Sequence, residues 1–184
     1  SNACLNCHQS HHAGGAVELL TYSHEEDVCL VCHDGSVATE DLATVFRKPY
    51  RHPVERHQGA HVPGENPSDA PNHAECVDCH NPHRARAAEA SPPNVMGVLE
   101  GVTGVDAGGI PVEEALFEYE VCFKCHARED NQPFQSIVRQ ISSTNVLKEF
   151  SPSSPSYHPV ETAGRNPDVP SLISPLNTAS LIYC

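Results

Sequence analysis

The sequence predicts a mostly irregular chain with short α-helices and little β-structure, arranged as two repeated modules. Three observations predict this. Pro occupies 16 and Gly 11 of 184 positions, which excludes long regular elements. Aromatic residues make up 5 %, with no Trp and one Met, so apolar material for an ordinary core is scarce. The third observation is a motif, Cys-x-x-Cys-His, that occurs four times.

The four copies are Cys4-Leu5-Asn6-Cys7-His8, Cys29-Leu30-Val31-Cys32-His33, Cys76-Val77-Asp78-Cys79-His80 and Cys122-Phe123-Lys124-Cys125-His126. This is the attachment signature of c-type haem. Two thiols must reach two vinyl groups on one porphyrin edge and form thioethers. A two-residue gap in a helical turn sets the sulfurs suitably, and the adjacent His comes under the ring as the proximal iron ligand. Structural zinc, thioredoxin-like redox pairs and disulfides also use paired cysteines. None of these requires His after the second Cys of every pair. Four haems would supply the apolar mass that the composition lacks. Without haem the polypeptide is expected to be largely unfolded, and a cooperative melting transition of an apo form would refute that.

The formal net charge of −13, with only 11 Lys and Arg, argues against a nucleic-acid partner, which needs a basic patch. The acidity is a solvated surface or, more sharply, a field that steers a cationic redox partner or a metal cation. No stretch approaches the roughly 20 apolar residues of a membrane span. Eight of the nine cysteines sit in the motifs. In bacteria c-type haem is attached outside the cytoplasm, so the periplasm or the outer cell surface is expected. The chain carries no signal peptide, and its export signal is expected upstream. Ser1-Asn2-Ala3 reads as a remnant of tag cleavage.

A repeat organises the chain. The first copy runs through Cys4 to His11, Glu26 to His33, Tyr50-Arg51-His52-Pro53-Val54-Glu55 and Gly64-Glu65-Asn66-Pro67. The second runs through Cys76 to His83, Glu118 to His126, Ser156-Tyr157-His158-Pro159-Val160-Glu161 and Gly164-Arg165-Asn166-Pro167. The modules are therefore 4–75 and 76–183, after a remnant at 1–3. Cys184 follows the second Asn-Pro much as Cys76 follows the first, and it reads as the start of a truncated third module.

Local signals place short elements. Ser23-His24-Glu25-Glu26 is a Ser-x-x-Glu capping box, predicting a short helix that carries the second motif. Pro111-Val112-Glu113-Glu114 has Pro and acids in a first turn, predicting a helix that runs toward Cys122. From Pro133 to Phe150 the apolar residues Phe134, Ile137, Val138 and Ile141 have helical spacing. Val95 to Ile110, with Asp106-Ala107-Gly108-Gly109, suggests a loose hairpin. Segments 49–75 and 151–175 are Pro-rich and predicted irregular.

Nine His remain after the four proximal ones, and bis-His iron in four haems needs four of them. The repeat selects His11 with His83 and His52 with His158. His83 follows His80 too closely to reach the far face of its own ring, so it should serve the haem at Cys122 and Cys125. His158 then serves the haem at Cys76 and Cys79. By repeat, His11 serves the second haem and His52 the first. His12 competes with His11, and His73 is the reserve ligand. His24, His57, His61 and His73 otherwise read as solvated or packed side chains, a His-lined metal site being the weaker alternative.

The doubled motif, with Cys79-His80-Asn81-Pro82-His83 in the second module, resembles the doubled-CXXCH family of multihaem c-type cytochromes. The resemblance covers most of the chain in two copies. It implies a haem-cored fold of two dihaem modules, bis-His low-potential haems, and a role as an electron conduit in the periplasm or at the outer surface. The implied partners are other redox proteins, further haem modules of the same chain, or extracellular metal acceptors. The first module departs from the pattern, because Ser10 stands where the family has Pro and His12 follows His11. Electron transfer without turnover is therefore expected, an electron carrier rather than an enzyme. The alternatives are a multihaem oxidoreductase that reduces a small oxyanion or metal at one open iron, and a haem-based sensor. No Cys-x-x-Cys-Lys marks an open iron, and no output domain is visible.

Overall fold

The computed structural model describes residues 3–14, 18–54, 74–127 and 145–184. The chain is mostly irregular, with a few short helices and a single two-stranded sheet among the described residues. It divides into two units, Ser1–Asp78 and Cys79–Cys184.

The first unit opens with a 3-10 turn, Ala3–Asn6, that carries the first motif. The segment after it folds back along the motif. Gln9 N donates to Leu19 O at 2.7 Å and Thr21 N to Cys7 O at 2.9 Å. Helix α1, Glu25–His33, carries the second motif. Its acids Glu25, Glu26 and Asp27 lie in the first turn and His33 in the last, matching the helix dipole at both ends. The expected cap at Ser23 is displaced. His24 is the N-cap residue and makes no side-chain capping bond. The helix starts one residue later than the Ser-x-x-Glu pattern implies, and this brings Glu25 inside, where it accepts a bond from Val77 N. Helix α2, Leu42–Val45, is capped by Asp41, whose carboxylate accepts from Thr44 N at 3.0 Å. Helix α3, Cys76–Cys79, carries the third motif. Among the described residues of this unit the buried apolar side chains are Leu20, Val28 and Val54.

In the second unit, β1 (Gly104–Val105) pairs antiparallel with β2 (Pro111–Val112), Gly104 opposite Val112. The hairpin expected around Asp106–Gly109 is present. Its turn is tied by Asp106, whose carboxylate accepts from Gly108 N and Ile110 N, and Gly109 takes φ +80. The helix expected from Pro111 is not there. Pro111 and Val112 form β2 instead, and Glu114 is drawn into a two-pronged ion pair with Arg84. Helix α4, Glu118–His126, begins seven residues later and carries the fourth motif. Glu120 folds back to accept from Leu116 N and Phe117 N, so the carboxylate satisfies donors at the helix start. The helical spacing from Pro133 to Phe150 does not give one continuous helix: α5, Val146–Phe150, starts afresh after Asn145, whose extended backbone and side chain, accepting from Leu147 N at 3.1 Å, cap it. The Phe134, Ile137, Val138 and Ile141 face lies outside the described residues. Segment 151–175 has neither helix nor strand, as predicted.

Two clusters form the core of this unit. Val102, Ala115 and Val121 pack with Cys79 and Val95. Tyr119, Phe123 and Val160 pack with Phe117, Phe150 and Ile182, among others. Both clusters grip α4, so the fourth motif stands on the best-packed element of its unit.

Candidate functional site

Each motif sits on a turn that places its two thiols one helical step apart. Residues three apart on a helix share a face, so Cys29 and Cys32, and Cys122 and Cys125, project together. Cys4 and Cys7 stand on the first turn and Cys76 and Cys79 on α3. None of the nine cysteines is in a disulfide.

Two of the motif histidines are fixed by the backbone. His8 Nδ1 lies 2.8 Å from Glu18 O, and His80 Nδ1 lies 2.8 Å from Val98 O. A carbonyl only accepts, so Nδ1 carries a proton in both, and in the neutral ring the lone pair is then on Nε2. That is the arrangement by which proteins hold an imidazole for a metal. His33 and His126 close α1 and α4, and both are exposed. Apolar side chains lie bare around these motifs: Leu5, Leu19, Val31 and Val98 are each about half exposed or more exposed than a core residue could be, at 60, 50, 49 and 41 %. In each unit these side chains leave apolar surface beside a motif that a bound apolar group could cover. The donor set and these surroundings fit haem.

The motifs also approach one another. Glu25, Cys29 and Cys76 place their ligand atoms within 4.8 Å of one another, and so do Glu118, Cys122 and Cys184. A hydrogen bond with Cys29 and burial push the Cys76 thiol far up, while the same bond holds Cys29 down. Cys122 is raised and Cys184 lowered in the same way. Burial raises Cys7, with Cys29, Cys32 and Cys4 adding to it. Neither triad offers the four ligands of a closed zinc site, and each glutamate already accepts a backbone N–H.

The two triads are built alike, although the amide bonded to the glutamate is that of the residue after Cys76 in one and that of Cys184 itself in the other. Val77 N donates to Glu25 at 2.9 Å and Cys184 N donates to Glu118 at 2.9 Å. Two residues before each cysteine, Ala74 N donates to Pro53 O and Ile182 N to Pro159 O. Val54 N bonds His52 O, and Val160 N bonds His158 O. His24 and Phe117 precede α1 and α4 with nearly the same extended backbone.

No family model, curated protein or solved structure matches the chain.

All four sequence-selected distal histidines, His11, His52, His83 and His158, are exposed. His83 closes an Asx turn, its N–H donating to Asn81 Oδ1 at 3.1 Å. His158 stands edge-on to Phe150, with ring centroids 6.3 Å apart, beside an apolar cavity of about 260 Å³ lined by Tyr157, Pro159, Leu172 and Ile182. His12, the competitor of His11, adopts φ 58. His57, His61 and His73 lie outside the described residues. Sequence reasoning missed Glu25, Glu118 and the carbonyls of Glu18 and Val98. The repeat alignment could have found the first two, because Glu25 and Glu118 each stand four residues before a motif.

Glu161 follows His158 in the repeated His-Pro-Val-Glu run, and one of its oxygens is buried with no hydrogen-bond partner. Burial raises its carboxyl above the ordinary carboxylate value. The folded chain therefore binds this proton more tightly than the unfolded chain does. That stabilisation is present below the unfolded value of about 4.3 and is lost as pH rises through the higher folded value. A Glu161→Gln variant is expected to melt higher than the parent at neutral pH, with the gap closing below about pH 4. Melting temperatures across that range check it.

Proposed function

We propose that this chain is an electron carrier holding four covalently attached c-type haems in two dihaem modules, working in an exported compartment. The observation that carries the reading is the pair of Nδ1–carbonyl bonds at His8 and His80, each on a Cys-x-x-Cys turn. In this reading Cys4, Cys7, Cys29, Cys32, Cys76, Cys79, Cys122 and Cys125 hold the ring edges as thioethers. His8, His33, His80 and His126 would be the motif ligands to the irons, and His11, His52, His83 and His158 would be the second ligands.

Haem supplies one-electron chemistry between Fe(II) and Fe(III). The chain does the rest. Glu18 and Val98 hold two imidazoles in the ligand tautomer. Leu5, Leu19, Val31 and Val98 are exposed apolar side chains that would cover ring surface and keep water from it. Two histidines per iron leave no position for a substrate, which separates a carrier from an enzyme. The net charge of −13 favours a cationic partner or a metal acceptor.

Intact mass spectrometry of protein matured in a host that attaches c-type haem tests the reading. Four haem increments that survive acid extraction are expected. A chain that matures with zinc or with disulfides, and no haem, overturns it.

A further inference from the structure

We propose that Glu25 is a positioning residue that locks the third motif's first cysteine against the second motif's first cysteine, making Cys29 and Cys76 the point where electrons cross between the second and third haems. This rests on the haem reading above. It adds a route and a residue that sets it.

Glu25 is 5 % exposed, in the first turn of α1 and one helical turn before Cys29. A buried carboxylate is costly unless its oxygens are bonded. Oε1 accepts the N–H of Val77, across 52 residues of chain. Two residues before Cys76, the amide of Ala74 is held by Pro53 O at 3.2 Å. The short α3 is thus anchored on both sides of Cys76. The result is two sulfurs and one carboxylate oxygen within 4.8 Å of one another. Were each sulfur to carry a haem thioether, this spacing would set the two attachment points side by side, and the pair of haems would supply a one-electron exchange in which one iron is oxidised as the other is reduced, with no proton or bond transferred.

The second copy of the device argues that it is built rather than incidental. Glu118 stands one turn before Cys122, with its Oε1 3.9 Å from Cys122 Sγ, and it accepts the amide of Cys184 across 66 residues. Pro159 O takes the amide of Ile182 at 3.0 Å. A glutamate one turn before a motif cysteine, a backbone amide on its carboxylate and a proline carbonyl recur in the second unit, with the amide that of the second cysteine itself.

The test uses the mature holoprotein and three variants. Glu25→Gln keeps an oxygen acceptor. Glu25→Leu fills the space without one, and Glu25→Ala removes the side chain. Intact mass first counts the haems. A haem-free parent sinks the haem reading itself, and this proposal falls with it. Soret circular dichroism then reads the coupling between neighbouring rings. With four haems present, the Leu or Ala variant is expected to lose part of the parent's exciton couplet while the Gln variant keeps it. If either the Leu or the Ala variant retains four haems and an unchanged couplet, the proposal is overturned. Should one of them fail to mature, the other decides.

Discussion

A chain in which Cys122 and Cys125 are both changed to Ser is expected to mature with three haems instead of four. The two thiols stand on one face of α4, and in the reading proposed here they are the sole covalent tether of the fourth haem. The loss should be close to one quarter of the haem absorbance per chain. It should also loosen the second unit, because α4 is the helix around which both apolar clusters pack. Changing Cys184 to Ser is the control. Cys184 lies beside Cys122 but belongs to no Cys-x-x-Cys-His, so the count should stay at four. Intact mass distinguishes the two outcomes directly.

The second large effect is on stability. Phe123 is fully buried, and its ring lies 5.3 Å from Tyr119 and 6.2 Å from Phe150. It is the side chain that joins α4 to α5, and it sits inside the fourth motif between Cys122 and Cys125. Phe123→Ala should cost about 3–5 kcal/mol through lost transfer energy and the cavity left behind. Against a total stability of about 5–15 kcal/mol, that removes a large fraction of the margin that keeps the second unit folded. Val37 is 73 % exposed, and Val37→Ala should change stability by no more than about 0.5 kcal/mol. Denaturant unfolding of the two variants, followed by far-ultraviolet circular dichroism, measures the contrast.

What the sequence made legible follows the range of the interactions. The helix at the second motif was readable because the Ser-x-x-Glu run before Cys29 acts within one turn, although the cap falls at His24; at the fourth motif only the run of the helix toward Cys122 was legible, not its start at Glu118. The hairpin at Asp106 was readable for the same reason, since an Asx turn is a local bond. The Pro111 helix failed because a first-turn signature says nothing about a strand partner. Gly104–Val105 took those residues, and Arg84 took Glu114 from 30 residues away. The site divides along the same line. The cysteines and their histidines stand in the motif. The groups that orient them do not, because a carbonyl such as Glu18 O or Val98 O carries no side-chain signature. Glu25 is hidden differently: its partner Val77 is reached only once the chain has folded back.

The absorption spectrum of the reduced protein, recorded with and without carbon monoxide, tests the central claim most directly. Four irons each held by two histidines should give a sharp c-type spectrum that carbon monoxide leaves unchanged. A shift in about one haem's worth of the signal would expose an open iron and contradict the carrier reading in favour of a reductase. No haem band at all would return the cysteine pairs to zinc or disulfide chemistry.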